Sequence, residues 1–308
     1  MSTVTLLGPQ IHNPNLREVL RGMALQGPFV AISAGWQERE GELDELRTHV
    51  AQDVHDLRVY ERTEAIFADD QPLRIAHRTR QAELQELQEL YQPRLRHAKD
   101  AARELLSRDG TPALLRRARR QALAMLRRLD ATHLADIRRI HAAHLAALEP
   151  ATRPAVQAAE RQIKRYVDQA NAVLIAGGHV AVLLNRLRLL GGAAMFGNKP
   201  VIAWSAGAMA LAEAVVLFHD QPPQGQANTE VFEAGLGVVR RVIPLPHAQS
   251  RLHLHDAMRV ELMARRFAPN ACITLDQGAW LHFVDGQLQN HGGCFQLARN
   301  GALTEVAA

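Results

Sequence analysis

Two consecutive strand–turn–helix units after residue 170 constrain the fold of this 308-residue chain more than any other feature. The apolar run Ala172-Val-Leu-Ile-Ala ends at Gly177-Gly178 and is followed by a helical pattern. The run Pro200-Val-Ile-Ala-Trp ends at Ser205-Ala-Gly-Ala and is followed by a second helical pattern, which we expect to continue to about Val216. Strands joined by helices through such short turns are typical of a parallel sheet covered by helices.

The same alternation occurs near both ends of the chain. Strand patterns at Val4-Thr-Leu-Leu, Phe29-Val-Ala-Ile and Leu57-Arg-Val-Tyr flank helical patterns in the first sixty residues. Short strand patterns at 271–275 and 279–284 predict an antiparallel addition at the edge of the sheet. We therefore predict an α/β fold.

Residues 61–168 have a different pattern, which predicts a large all-helical insertion. Leucine and alanine recur at steps of three and four residues among Glu, Gln and Arg, with almost no strand pattern. Breaks at Gln92-Pro93, at 109–112 and at Glu149-Pro150 divide the insertion into three to five helices. We expect residues 1–60 and 169–308 to form one α/β domain that this insertion interrupts.

Charge is distributed unevenly along the chain. Residues 38–89 carry 7 Arg or Lys and 14 Asp or Glu, whereas residues 94–168 carry 17 and 8. Either two helical faces attract each other in a hairpin, or a basic strip binds phosphate or an acidic partner. Aromatic side chains that would stack on bases are nearly absent from this strip, so we do not expect a nucleic-acid partner. The strip consists of Arg116, Arg117, Arg119, Arg120, Arg127 and Arg128.

The composition excludes several classes of protein. Hydrophobic residues make up 47% and charged residues 22%, close to the globular average, which excludes general disorder. No stretch reaches 18 uninterrupted apolar residues, and the first residues lack a basic region with a cleavage site. We therefore expect no membrane association and a cytoplasmic location. The two cysteines, Cys272 and Cys294, are too few for a disulfide framework or a four-cysteine zinc site.

The pentapeptide Trp204-Ser-Ala-Gly-Ala is the strongest indication of chemistry. A serine on a tight turn between a buried strand and a helix projects its hydroxyl at the carboxyl edge of the sheet. The N-terminus of the helix favours negative charge at that point. The same serine can instead be an N-cap, whose hydroxyl accepts a hydrogen bond from the second or third helical amide. The pentapeptide alone leaves both interpretations open.

A nucleophilic serine needs a base and a group that orients the base. Asp220 lies 15 residues after Ser205, and His247 follows a strand pattern that we expect to end at the same edge of the sheet. The Gly177-Gly178 turn has backbone amides that would suit an oxyanion hole. His219 is an alternative base, but adjacent residues rarely face the same point.

Two further groups of residues have both a functional and a structural explanation. His253, His255 and Asp256 would suit a metal, but no further ligand is evident, and we expect a polar entry to a helix instead. Arg251 and Arg259 would bind a substrate carboxylate or form surface salt bridges.

A wider set of segments is shared with a known family. They are Ala176-Gly-Gly-His, Trp204-Ser-Ala-Gly-Ala, Asp220 at its spacing, Gly235-Leu-Gly-Val-Val, and Pro246-His247 followed by Arg251. Together they resemble the serine peptidases typified by dipeptidase E and cyanophycinase, well over 171–289 and weakly over 4–60. The resemblance implies a class I glutamine amidotransferase-like fold, which is a flavodoxin-like three-layer sandwich with a central, mostly parallel sheet.

The resemblance also implies roles for individual residues. Ser205 would be the nucleophile, His247 the general base and Asp220 the carboxylate that orients the base. The amides of Gly178 and Ala206 would form the oxyanion hole, and neither a cofactor nor a metal is expected. Family members cleave next to aspartyl residues, in Asp-Xaa dipeptides or in the β-aspartyl-arginine links of cyanophycin. The substrate-binding residues would be Gly177, His179 and Arg251.

The chain departs from the family pattern around these residues. His179 replaces the usual asparagine or aspartate, Gln277 stands where an acidic residue is often found, and Pro244-Leu-Pro-His-Ala replaces Asp-Gln-His-Phe. We therefore expect a conserved mechanism in an altered pocket: a serine peptidase or amidase that acts on a small or acidic, aspartyl-type peptide through an acyl-enzyme. The alternative is a non-catalytic binding protein, whose helical insertion serves as a lid, a homodimerisation arm or a docking platform.

Overall fold

The computed structural model describes residues 2–218 and 229–306. The helices are α1 (Leu16–Gly22), α2 (Asp44–Val50), α3 (Val59–Asp69), α4 (Gln71–Ser107), α5 (Pro112–Leu148), α6 (Pro154–Gln169), α7 (Val180–Leu189), α8 (Ala206–Leu211), α9 (Ala248–Arg251) and α10 (Ala257–Phe267). The strands are β1 (Thr3–Leu7), β2 (Phe29–Ile32), β3 (Val54–Asp56), β4 (Ala172–Ile175), β5 (Val201–Trp204), β6 (Ala214–Leu217), β7 (Glu230–Ala234), β8 (Val242–Pro246), β9 (Ala271–Leu275), β10 (Trp280–Val284), β11 (Gln287–Gly292), β12 (Phe295–Leu297) and β13 (Leu303–Glu305). Short 3-10 helices cover Ala34–Arg39, Pro150–Thr152 and Gly192–Phe196.

In the described part of the chain, a central sheet of seven strands has the order β11-β10-β1-β5-β4-β2-β3. The strands from β1 to β3 in this order run parallel, and β10 and β11 are antiparallel at one edge. Of the two strand patterns predicted for this edge, the one at 279–284 is there as β10. The prediction for 271–275 is wrong, because these residues form β9, which pairs parallel to β8 in another sheet. Every residue of β2, β4 and β5 is buried, which is typical of a parallel sheet covered on both faces. From the neighbouring strands β2 and β4 the chain continues in opposite directions across the sheet, to β3 on one side and to β5 on the other. Open parallel sheets bind ligands at such a point, beyond the carboxyl ends of the strands.

Helices cover both faces of the sheet, so the predicted three-layer α/β fold is confirmed. On one face, α1 and α2 bury Leu16, Leu20, Leu46 and Val50 against alternate residues of β2, β4 and β5. On the other face, α3, α6, α7 and α8 pack against the remaining strand residues in a larger core. Each buried strand contributes to both cores because successive side chains of a strand point to opposite faces.

The long helices α4 and α5 pack along one another, each over 37 residues. The predicted break at Gln92-Pro93 is wrong, because α4 continues through Pro93. Tyr91 and Leu95, on either side of the proline, are buried against Leu126 of α5. This packing offsets the helical hydrogen bond that a proline cannot donate.

Buried polar contacts fix this helical pair to the rest of the protein. Arg266 of α10 donates to the two carboxylate oxygens of Asp130 at 2.6 and 2.8 Å, and the Tyr91 hydroxyl donates to Asp130 at 2.7 Å. Arg266 also donates to the carbonyl oxygen of Thr229 at 2.7 Å. The helical pair is therefore docked on α10 and on the chain that leads into β7.

Two arginines of the predicted basic strip are hydrogen-bonded within the protein. Arg119 donates to carbonyl oxygens at the end of α4, including that of Leu105 at 2.8 Å, and Arg127 donates to the carbonyl oxygen of Arg265 at 2.8 Å. Basic side chains often satisfy the last carbonyl groups of a helix in this way. The remaining strip residues are exposed, and both an acidic partner and a homodimer through this region stay predictions. These residues are Arg116, Arg117, Arg120 and Arg128.

Two local predictions beside the sheet are wrong. Leu57-Arg-Val-Tyr is not a strand, because β3 ends at Asp56 and α3 begins at Val59. The helix after Ser205 ends at Leu211 instead of Val216, and the β-branched residues that follow form β6, which pairs with β7. Their β-branched side chains fit a strand better than a helix.

The strand before His247 belongs to a different sheet from the one we expected. Among the residues that the structure describes, β8 is the edge strand of a four-stranded sheet with the order β13-β12-β9-β8. Pro244 and Pro246 have no N–H to donate to a neighbouring strand, and prolines are confined to edge strands for this reason. Over the described residues, no helix has the length and apolar character that crossing a membrane requires.

Candidate active site

A cavity of about 870 Å³ opens beyond the carboxyl ends of β2, β4, β5 and β8. The predicted site residues Gly177, Gly178, His179, Ser205, Ala206, His247 and Arg251 all line it. Asp220, and the alternative base His219, lie outside the described residues. Within 2–218 and 229–306, no residue of α3 to α6 lines this cavity, which argues against the lid role for the helical insertion.

The backbone of Ser205 is strained, with φ 50° and ψ −118°. Such outliers in non-glycine residues cluster at functional sites. Ser205 occupies the N-cap position of α8, but its hydroxyl makes no capping hydrogen bond. Its amide donates to the carbonyl oxygen of Leu7 at 3.3 Å, and its carbonyl accepts from the amide of Met209 at 3.1 Å. Backbone hydrogen bonds therefore hold the turn. The sequence left open whether the Ser205 hydroxyl caps α8, and in the structure it does not.

Glycines allow the turn after β4 to approach the serine turn closely. A Cβ atom at Gly177 would lie 2.9 Å from the Cβ of Ser205 and 3.5 Å from the amide nitrogen of Ala206. A Cβ atom at Gly207 would lie 2.5 Å from the carbonyl oxygen of Ile175. Since real Cβ atoms essentially never approach other atoms within 3.0 Å, the contacts at 2.9 and 2.5 Å mean that larger residues at these positions would push the two turns apart.

The second glycine of the pair takes a backbone conformation that favours glycine. Gly178 has φ 101°, and a Cβ atom there would lie 2.3 Å from the carbonyl oxygen of Gly35. That carbonyl accepts a hydrogen bond from the amide of His179 at 2.8 Å. The amides of Gly178 and Ala206 have no protein acceptor among the residues described, so both are available to a substrate oxyanion.

His247 is the N-cap residue of α9 and has a left-handed backbone conformation, with φ 59° and ψ 34°. Burial, and then the positive charge of Arg251, lower the pKa of His247 below the usual value of 6.5. A lowered pKa keeps the imidazole neutral at neutral pH, and the neutral form is the one that can accept a proton from a nucleophile.

Backbone contacts join the serine turn to the histidine turn through the ends of β1 and β9. The amide of Ser205 donates to the carbonyl oxygen of Leu7 at the end of β1. The residue after Leu7, Gly8, lies against Asp276, because a Cβ atom added at Gly8 would be 1.8 Å from the Asp276 carbonyl oxygen. The amide of His247 donates to the carbonyl of Leu275, the residue before Asp276, at 3.3 Å. Contacts between backbone segments therefore connect the turns that carry the two side chains.

Comparison with known proteins decides the family. The model of peptidase family S51 matches residues 127–291, which is more than half of the chain. The chain belongs to peptidase family S51. The expected relation to the dipeptidase E family is confirmed, and with it a serine peptidase.

Solved structures and curated proteins were compared as well. A crystal structure of a peptidase from an acI-B1 Actinobacterium is 13% identical, with a TM-score of 0.47 over 97% of this chain and 91% of that chain. A putative peptidase E protein from Listeria monocytogenes EGD-e is 14% identical, with a TM-score of 0.31 over 42% of this chain and 63% of that chain. The search of curated proteins found no match.

The sequence interpretation of this S51 peptidase missed Asp276. In the parallel pair β8–β9, Pro246 lies opposite Leu275, so the residues that follow the two strands are neighbours. The Asp276 carboxylate accepts a hydrogen bond from the amide of Gln249 at 2.9 Å and so fixes the turn that carries His247. Burial raises the pKa of Asp276. The sequence does carry a signal for Asp276, since it is an acidic residue directly after the apolar strand pattern at 271–275.

The other candidate residues of the S51 peptidase have distinct surroundings. The His179 ring caps α7, accepting through Nδ1 from the amide of Val182 at 3.4 Å. Arg251 is buried enough to lower its pKa, and it has no carboxylate partner in the described residues. Arg259 does not line the cavity and instead donates to Thr229 at 3.4 Å.

The segment that we considered for a metal is a helix entry. The carboxylate of Asp256 accepts from the amide of Arg259 at 3.0 Å and so caps α10. In the parts of the chain that the structure describes, no group of three or more His, Cys, Asp or Glu side chains is placed to hold a metal ion.

Proposed function

We propose that this S51 peptidase hydrolyses an amide bond in small acidic peptides through an acyl-enzyme on Ser205. The observation that carries the proposal is the strained serine turn: the hydroxyl of Ser205 makes no capping hydrogen bond, and Ser205 lines the same cavity as His247, Gly178 and Ala206. A nucleophile, a base and oxyanion donors are the parts that acyl transfer needs.

The mechanism follows from these parts. His247 removes the hydroxyl proton of Ser205 while Oγ attacks the carbonyl carbon of the scissile bond. The amides of Gly178 and Ala206 hold the oxyanion of the tetrahedral intermediate. When the intermediate collapses, His247 gives the proton to the leaving amine and the acyl-enzyme ester remains. Water then attacks the ester with His247 again as base, which releases the carboxylic acid and restores the serine hydroxyl.

Asp220 would orient His247 during these steps. Its position in the chain, 15 residues after Ser205 and before His247, supports this role because it is the order that the family resemblance implies. A carboxylate bonded to the far nitrogen of a histidine holds the correct tautomer and stabilises the imidazolium that forms.

The charge on the cavity wall supports an acidic substrate. Arg251 lies one helical turn after His247 and has no carboxylate partner in the described ranges. Arg39 also lines the cavity, but it is bonded to Glu42 at 2.6 Å. A free guanidinium binds a carboxylate through two parallel hydrogen bonds, so Arg251 is the residue that we expect to hold the substrate's negative charge.

Two measurements test the proposal: labelling by a fluorophosphonate, and turnover of a panel of aspartyl and isoaspartyl peptides. We expect labelling at Ser205 and a loss of kcat of at least about 10³-fold in Ser205→Ala. Ser107→Ala, an exposed serine at the end of α4, is the matched control. Unchanged turnover in Ser205→Ala would remove the serine from the mechanism, and binding without turnover or labelling would favour the non-catalytic alternative.

A further inference from the structure

The segment that follows β2 contacts both the turn after β4 and the first turn of α3. We call residues 33–40 the bridging segment, and its Gly35 and Trp36 line the active-site cavity. The residues at its two ends, Ser33 and Glu40, are 0% and 3% exposed although both are polar. Because buried polar groups are costly unless they are hydrogen-bonded, the partners of these two side chains show what holds the segment in place.

The bridging segment contacts the Gly177-Gly178 turn through Gly35. The carbonyl oxygen of Gly35 accepts a hydrogen bond from the amide of His179 at 2.8 Å. A Cβ atom at Gly35 would lie 2.4 Å from the carbonyl oxygen of Gly177, and one at Gly178 would lie 2.3 Å from the carbonyl oxygen of Gly35. The two backbones are therefore in direct contact, and a shift of Gly35 displaces the amide of Gly178.

Glu40 fixes the other end of the bridging segment to α3. Its two carboxylate oxygens accept hydrogen bonds from the amides of Tyr60 and Glu61, each at 2.9 Å. Amides in the first turn of a helix have no acceptor within the helix, and the helix dipole favours negative charge beside them. The bridging segment is therefore attached to β2 at its start and to α3 at its end.

Hydrogen bonds inside the bridging segment connect Glu40 to the residues beside Gly35. The Ser33 hydroxyl donates to the carbonyl oxygen of Glu40 at 2.9 Å, and the amide of Glu40 donates to the carbonyl oxygen of Gln37 at 2.9 Å. The amide of Trp36 donates to the carbonyl oxygen of Ser33 at 2.7 Å. Gln37 has a strained backbone, with φ 59° and ψ −124°, which persists only where the surrounding structure holds it. We therefore expect a shift at Glu40 to reach Gly35.

The surroundings of Glu40 disfavour its charged form. Burial, and to a smaller extent the carboxylates of Asp56 on β3 and Glu61 on α3, raise the pKa of Glu40 to about 7, although its two backbone hydrogen bonds act in the opposite direction. Carboxyl groups with strongly shifted pKa values cluster at functional sites. The neutral acid still has an oxygen that accepts from an amide, so we expect the attachment to α3 to depend on hydrogen bonding rather than on the charge.

Resting on the proposed function, we infer that Glu40 is a positioning residue for the oxyanion hole. It acts through the bridging segment, in which Gly35 holds the Gly177-Gly178 turn and with it the amide of Gly178. Oxyanion donors stabilise the tetrahedral intermediate more than the bound substrate, so loss of the attachment to α3 lowers kcat more than it raises KM.

The test compares the turnover of aspartyl and isoaspartyl peptides by Glu40→Ala, Glu40→Gln and Asp70→Ala. Glu40→Ala removes both acceptors, and we expect kcat to fall at least about tenfold because small misplacements of reacting groups are costly. Glu40→Gln keeps one acceptor and is expected to retain most of the wild-type kcat. The control Asp70→Ala removes the cap of α4, where Asp70 accepts from the amide of Leu73 at 2.9 Å, and is expected to leave kcat unchanged. Thermal unfolding of each variant measures the stability that each cap contributes.

Hydrogen exchange gives a second measurement that does not depend on turnover. The amide of His179 is bonded to Gly35, so its exchange is expected to be faster in Glu40→Ala than in the wild type and in Asp70→Ala. Glu40→Asp, whose side chain is one methylene group shorter, is expected to change kcat and exchange in the same direction. It takes the place of Glu40→Ala if that variant does not fold.

The outcomes separate this inference from the mechanism that it rests on. Serine-dependent turnover with the wild-type kcat or the wild-type exchange of His179 in Glu40→Ala would overturn the inference and leave the serine mechanism standing. Equal losses of kcat in Glu40→Ala and Asp70→Ala would also overturn it, because both variants would then act through stability alone. Faster exchange of His179 in Glu40→Ala, in a protein without serine-dependent turnover, would support the positioning of the turn and overturn the mechanism. Unchanged exchange and no such turnover would overturn both.

Discussion

Gly177 lies directly against Ser205, so that a Cβ atom at position 177 would be only 2.9 Å from the Cβ of the serine. This contact joins the turns that follow the neighbouring strands β4 and β5, which carry the proposed oxyanion amide of Gly178 and the proposed nucleophile. The position of the hydroxyl therefore depends on the absence of a side chain at residue 177.

Gly177→Ala is expected to lower kcat by at least about tenfold, because the added methyl group moves the serine turn and small misplacements of reacting groups are costly. Steady-state kinetics and a thermal unfolding curve measure this effect. The control is Gly22→Ala, where a Cβ atom would meet nothing within 4 Å. Full activity in Gly177→Ala would show that the turn tolerates a side chain.

The orienting carboxylate is tested by two isosteric variants. Asp220→Asn is expected to lower kcat by about 10⁴-fold with little change in stability, since an amide favours the wrong tautomer of the histidine. Asp276→Asn keeps an oxygen that accepts from the amide of Gln249, so its effect on kcat is expected to be much smaller. A larger loss in Asp276→Asn than in Asp220→Asn would assign the orienting role to Asp276.

The fold was predictable from the sequence where a buried strand and its turn occupy adjacent residues. The runs before Gly177 and Ser205 are apolar throughout and end in small residues, so local pattern and tertiary structure agree there. Pro93 is a counterexample, because packing with α5 outweighs its local preference to end a helix. No local pattern in α4 shows which residues of a distant helix will cover it.

The candidate site was predictable only in part for a related reason. Ser205 and His247 follow strand patterns in the sequence, and the structure places both on the wall of the same cavity. Ile11 and Trp36 also line the cavity, although they follow β1 and β2 and are far from Ser205 and His247 in the sequence. The ends of these strands meet at one cavity because the order of the strands in the sheet differs from their order in the sequence. That order depends on long-range strand pairing, which one sequence does not specify.

The acid limb of the pH profile reports the histidine. Since His247 must be neutral to accept a proton and its pKa is lowered, the midpoint of kcat/KM on the acid side is expected below the usual value of 6.5. Arg251→Gln removes a positive charge that opposes protonation of the imidazole, so the midpoint is expected to move to higher pH. The measurement is kcat/KM from pH 4 to 9, with a substrate whose own groups do not titrate near the midpoint.

The control for this shift is Arg240→Gln, an exposed arginine outside the cavity, which is expected to leave the midpoint where it is in the wild type. Arg251→Gln also raises KM for acidic peptides if Arg251 binds their carboxylate, so the midpoint rather than the rate is the decisive quantity. A midpoint that stays in place or moves to lower pH would contradict the electrostatic coupling of Arg251 and His247.

The docking of the helical pair depends on the buried ion pair of Asp130 and Arg266, whose side chains are 9% and 2% exposed. Asp130→Ala is expected to lower the free energy of unfolding by about 3–5 kcal/mol, because it leaves the Arg266 guanidinium buried without a counter-charge. Replacing both residues, as Asp130→Leu with Arg266→Met, is expected to recover much of that loss, since no charge is then buried. Denaturant unfolding measures all three proteins beside Asp100→Asn, an exposed control on α4. Arg266 also donates to the Tyr91 hydroxyl and to the Thr229 carbonyl oxygen. If the double variant is no more stable than Asp130→Ala, the loss of these two hydrogen bonds destabilises the protein as much as the unpaired charge does.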